Sequence, residues 1–80
     1  MPIIILLNGL KIYVYADDHL PPHIHAIFAE YEAIIEIGTG NVLGGELPKR
    51  VLKKAIALIN ENKEMIEAEF YRINPKHKRI

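Results

Sequence analysis

The chain has no cysteine in its 80 residues, which excludes a disulfide framework and any thiolate metal site and gives no reason to expect secretion. Long apolar runs are also missing. The opening Met1-Pro2-Ile3-Ile4-Ile5-Leu6-Leu7 is far shorter than the roughly 20 residues of a membrane-spanning helix and lacks the basic n-region of a signal peptide. A cytoplasmic protein with no membrane segment is therefore expected. No internal repeat or linker divides the chain, so residues 1–80 read as a single domain, with a β-sheet part at 1–46, a helical part at 48–73 and a basic tail at 74–80. That length is near the lower end of what one hydrophobic core holds. Half of the residues are apolar, enough for a core without a metal staple.

Net charge is absent only in the sum. Residues 1–47 set Lys11 against Asp17, Asp18, Glu30, Glu32, Glu36 and Glu46, a balance of −5. Residues 48–80 set nine Lys and Arg against four Glu, a balance of +5. The two halves either neutralise each other in the folded domain or leave a basic side for a partner.

Two apolar runs, Ile3–Leu7 and Leu10–Tyr15, flank Asn8-Gly9, the pair that suits a type I′ hairpin turn because both central residues need positive φ. The turn predicts Leu7 opposite Leu10, Ile5 opposite Ile12 and Ile3 opposite Val14, an apolar core face. Two further strands follow at His23–Ala29 and Glu32–Ile37. Like faces pair only across an even loop. With Glu30-Tyr31 as the turn, Phe28 faces Ala33, Ala26 faces Ile35, Ile24 faces Ile37, and His25 stands opposite Glu36; a four-residue loop would set Glu36 opposite Ile27 instead. Gly38-Thr39-Gly40-Asn41 makes the next turn, before a short edge strand at Val42-Leu43 and a break at Gly44-Gly45.

From Pro48, placed at the first helical position, the apolar period becomes helical through Leu52, Ala55, Ile56 and Ile59, with Lys49, Arg50, Lys53 and Lys54 on the other side. One helix to Ile73 would run ~39 Å at 1.5 Å per residue, longer than such strands need for cover. A break at Asn60-Glu61-Asn62 is predicted, then a second helix that Asn74-Pro75 ends. The expected fold is α+β: an antiparallel β-meander of four to five strands followed by one or two C-terminal helices packed on one face. The other face keeps Ile4, Tyr13, Tyr15, His23, His25, Ile27 and Ile34. It is too apolar for a plainly solvated surface and points to a second copy, a partner chain or the chain's own tail.

The titratable chemistry concentrates in Asp17-Asp18-His19-Leu20-Pro21-Pro22-His23-Ile24-His25. The prolines make a stiff, extended lead-in, and strand alternation then puts His23 and His25 on one face. Asp-His-Leu-Pro-Pro-His-Ile-His at 18–25, with Glu30-Tyr31-Glu32-Ala33, Thr39-Gly40, Leu47-Pro48 and the amphipathic helix, resembles a small bacterial family known as domain of unknown function 4160. His19, His23 and His25 fall on its motif positions, and Phe70 lies where the family is expected to carry a tryptophan. The resemblance implies a compact β-then-α domain whose genes sit beside another small domain, of a kind associated with toxin–antitoxin pairs. It supplies no reaction.

Three chemistries fit these residues. Metal-independent ribonuclease action, as a toxin would need, asks for a base and an acid with near-neutral pKa; His23, His25 and Glu36 are the candidates, with Tyr13 or Tyr15 to stack a base and Lys11 to meet phosphate. A zinc site is the alternative that needs a cofactor, with His19, His23, His25 and Asp17 as ligands. The third is a non-catalytic interaction module, binding a neighbouring gene's product, a second copy or RNA through Tyr13, Ile27 and Ile34 and through Lys49, Arg50 and Lys53. The structural alternative for the histidines is that they brace the end of the sheet, with His25 held by Glu36.

Overall fold

In the computed structural model, which describes residues 3–15 and 21–75, Asn8 and Gly9 have φ of 49° and 85°, the two positive values of a type I′ turn. The turn joins β1 (Ile3–Leu7) to β2 (Leu10–Tyr13), with Leu7 opposite Leu10 and Ile5 opposite Ile12. The expected pairing of Ile3 with Val14 does not form. The register slips between Ile5 and Ile3, so that Ile3 stands opposite Tyr13, and Val14 leaves the ladder to be fully buried. The bulge belongs to the outer strand β1, while Val14 points inward because it continues the alternation of Leu10 and Ile12.

β3 (His23–Phe28), β4 (Tyr31–Glu36) and β5 (Val42–Glu46) complete an antiparallel sheet in the order β1-β2-β3-β4-β5. The β3–β4 turn corrects the expected register. It falls at Ala29-Glu30, and Phe28 pairs with Tyr31, Ala26 with Ala33, Ile24 with Ile35, His25 with Ile34 and His23 with Glu36. Because the shift is two residues, every side chain keeps its expected face and changes only its cross-strand neighbour. Tyr31 gains from this: in the strand it packs against the core beside Phe28, burial that a loop position would forfeit. The opposing cost is Ala29, whose φ of 53° is unfavourable for a residue with a Cβ.

Two helices follow, α1 (Lys49–Glu61) and α2 (Lys63–Ile73). Pro48 precedes α1 as its cap rather than opening its first turn, and its carbonyl accepts the Leu52 N–H at 2.8 Å. Asn62 makes the expected break. Its backbone N–H donates to Leu58 O and Ile59 O, and its Nδ2 donates to Leu58 O at 2.9 Å, so two of the four carbonyls freed at the end of α1 are satisfied. Ala55 and Ile59 of α1 and Ile66 and Phe70 of α2 are buried against Leu10, Ile12, Val14, Ile24, Ala26, Ala33, Ile35 and Ile37. Those strand residues alternate along the chain, so the helices cover one face of the sheet and leave the other open. The fold is α+β. Among the described residues no helix is long and apolar enough to cross a membrane, and the basic tail beyond residue 75 lies outside them.

Two backbone positions test this topology in opposite directions. A Cβ on Gly45, at φ 71°, would lie 2.1 Å from the carbonyl oxygen of Glu32, so Gly45→Ala is expected to lower stability by ~2 kcal/mol or more. Ala29→Gly relieves a left-handed alanine and is expected to raise stability by ~0.5 kcal/mol. Urea unfolding of both variants measures the pair; an Ala29→Gly variant less stable than the parent would contradict the turn.

Candidate functional site

Strand alternation brings most of the predicted face together. Tyr13 stands opposite His25, Lys11 opposite Ile27, and His25 opposite Ile34. From Tyr13 a row of rings crosses the end of the sheet: Tyr13 to Tyr15 at 6.0 Å between centroids, Tyr15 to His25 at 4.2 Å edge-on, His25 to His23 at 5.4 Å, and His23 to Phe70 of α2 at 5.9 Å. Tyr71 continues it, edge-on to Phe70 at 5.4 Å. Edge-on and tilted contacts are the arrangements that aromatic quadrupoles favour. The row joins the open face to the helical layer.

Hydrogen bonding assigns the protons. His23 Nδ1 lies 2.8 Å from the carbonyl oxygen of Pro21, which only accepts, so Nδ1 carries the hydrogen. His25 Nδ1 lies 3.3 Å from Glu32 Oε2, and the same reasoning places a proton there. In both rings Nδ1 is therefore the nitrogen committed to an acceptor. His25 Nε2 is shut off from solvent, and His23 is only 8% exposed. A general base must come within hydrogen-bond reach of the proton it takes. This geometry suits bracing more than proton transfer.

Glu36 is not the partner of His25. It stands opposite His23 in the ladder, and its Oε1 accepts the Thr39 hydroxyl at 3.0 Å. Thr39 Oγ1 in turn accepts the Asn41 N–H at 3.1 Å, and the Glu36 carbonyl accepts the Gly40 N–H at 2.9 Å. Glu36 thus organises the β4–β5 turn, while Glu32, two residues earlier, takes the diagonal position beside His25. Of the alternative zinc ligands, Asp17 and His19 lie outside the described residues. Among the described residues no group of three or more His, Asp or Glu gathers as a metal site.

Lys49, Arg50 and Lys53 do not join the histidines. Arg50 and Lys53 share a cleft with Phe28, at the far end of β3 from His23, ~17 Å away along the strand at 3.3 Å per residue. The expected binding residues therefore divide between two surfaces.

Asn74 belongs to the site and was hidden by its place after a helix, where it reads only as a stop before Pro75. It is 1% exposed, and its Nδ2 donates to Tyr15 O at 2.9 Å and Phe70 O at 3.0 Å. One amide thereby ties the end of α2 to the chain leaving β2, with the ring row between them. Asn74→Ala withdraws the donor from two carbonyls and is expected to cost ~1–3 kcal/mol in thermal or urea unfolding. A cost near zero would dismiss the tie. For His25, Glu32→Gln is expected to move its Nδ1 nitrogen resonance while Glu36→Gln leaves it in place; the reverse would restore the Glu36 pairing.

The model of the family described as Domain of unknown function (DUF4160) matches residues 9–71, from the second residue of the first turn to the ring row's end at Tyr71. No curated protein and no solved structure matches the chain. The match takes in β2 to β5, the histidine segment and both helices almost to their end, and the chain accordingly belongs to the DUF4160 family.

Proposed function

We propose that the domain is the partner-binding member of a toxin–antitoxin-like pair and docks a basic protein, the product of a neighbouring gene, on the open face of its sheet. One observation carries this reading: both helices lie on one face, and the other presents Tyr13, Ile27 and Ile34 half-buried, with Leu6 62% exposed. Carboxylates line the β4–β5 side of that apolar surface. Glu32 stands directly opposite Glu46, and Lys11 against Glu32, Glu36 and Glu46 leaves a balance of −2. Like charges directly across a ladder are destabilising, and arginine or lysine from a partner would relieve them. A second copy docked symmetrically would instead bring the two sets of carboxylates together.

RNA cleavage by His23 and His25 is the competing reading, favoured by their shared face and 5.4 Å ring separation. It requires an Nε2 lone pair within reach of a ribose hydroxyl. A zinc-dependent activity would need His19 or Asp17 as well.

Co-purification of the full chain with the adjacent gene's product tests the proposal. A one-to-one complex is expected, weakened at least tenfold by Ile34→Lys and by Glu46→Lys in variants whose melting shows them folded. No complex, or a homodimer through this face, overturns it. RNA cleavage lost in His23→Ala or His25→Ala, with the melting temperature kept, would establish the ribonuclease reading in its place.

A further inference from the structure

A second surface lies behind the sheet. Leu7, Asn8, Leu10 and Phe28, at the turn end of the strands, and Arg50, Val51, Lys53 and Lys54, on the first turns of α1, enclose an open cleft of about 600 Å³. Its floor is apolar and its rim is cationic. Among the described residues none of Arg50, Lys53 and Lys54 takes part in an ion pair. Their i, i+3, i+4 spacing puts them on one face of the helix, with Arg50 and Lys54 ~6 Å apart along its axis.

The cleft lies beside a free strand edge. β1 is outermost in the sheet, and among the described residues it pairs with β2 alone. In a two-residue hairpin the residues flanking the turn bond to each other, so Leu7 is committed to Leu10 while the Leu6 N–H and C=O point away from β2. Such an edge is a template for an added strand.

We propose that this edge and cleft together bind an extended acidic segment of another protein, one that pairs with β1 and lays alternate side chains across the cleft. Residues two apart on the added strand lie ~6.7 Å from each other on the same face, close to the axial spacing of the cations. Carboxylates at those positions meet Arg50, Lys53 and Lys54, and one bulky apolar side chain among them fills the floor over Leu7, Leu10 and Phe28. The intervening residues lie beside exposed Leu6 on the opposite face. The chain's own Lys76-His77-Lys78-Arg79 has the wrong sign for this surface. A second copy paired through β1 would bring both cationic rims to one side of the joined sheet, where they repel.

The inference concerns a surface separate from the open face. The test uses the full chain and the N-acetylated, C-amidated peptide Glu-Val-Leu-Val-Glu-Val-Glu, followed by amide shifts and fluorescence anisotropy. Saturable binding is expected, with shifts at Leu6, Leu7 and Val51 and affinity falling as salt rises. Lys53→Glu is expected to weaken binding at least tenfold. Leu6→Pro removes an outward N–H at an edge position that tolerates proline and is expected to do the same. Ile34→Lys, on the open face, should leave peptide binding unchanged, so failure there and failure here are separable. No binding, equal binding of the peptide with lysine for each glutamate, or undiminished affinity in folded Lys53→Glu and Leu6→Pro overturns the proposal. Octanoate saturating the same amides while the peptide does not bind overturns it as well, by assigning the cleft to a small amphiphile.

Discussion

Everything in this domain depends on the parity of two tight turns. A strand's side chains alternate with a period of two, so a slip by one residue would carry every core residue of a strand to solvent. Asn8-Gly9 and Ala29-Glu30 each connect neighbouring strands with two residues, which holds Leu10, Ile12, Ile24, Ala26, Ala33 and Ile35 on the face that α1 and α2 cover. The open face, its histidines and its carboxylates are the other half of the same constraint. The helices define the candidate surface by covering the face opposite it.

The first of these turns was legible in the sequence and the second was not. Asn-Gly announces its backbone, because few residues accept two successive positive φ values. Ala29 announces nothing. Its left-handed conformation is imposed from a distance by the burial of Tyr31 opposite Phe28, and no local preference records that. The even loop length was still readable, which is why the faces were correct while the cross-strand neighbours were displaced by two residues. That displacement changed the carboxylate beside His25 from Glu36 to Glu32. The helix break at Asn62 was legible for a different reason: one uninterrupted helix to Ile73 would have been longer than the strands need for cover.

Charge separation along the chain became separation in space, although not in the way that mutual neutralisation would require. The acidic residues Glu32 and Glu46 face outward on the open side of the sheet, whereas Arg50, Lys53 and Lys54 border the cleft on the helical side. Sheet and core stand between them, so the two sets do not pair. Each is left with a field suited to a partner of opposite sign. An 80-residue domain that needed its charges only for solubility would gain nothing from this segregation and would lose stability at the opposed Glu32 and Glu46.

The histidine motif takes its meaning from the same geometry. Two imidazoles on one strand face were the strongest chemical signal in the sequence, yet each Nδ1 proton is directed to an acceptor, Pro21 O or Glu32, and the rings continue through Phe70 to Tyr71. A ring row anchored at one end by strand pairing and tied at the other by Asn74 to Tyr15 and Phe70 resists shear between α2 and the sheet. The proline pair before His23 is part of that brace, since it presents the Pro21 carbonyl at the distance the ring requires and the Pro22 carbonyl to the Ile37 N–H at 3.0 Å. Stiffness at this end of the sheet keeps Tyr13, His25 and Ile34 in register as one surface, and a surface already ordered loses less conformational entropy when a partner binds.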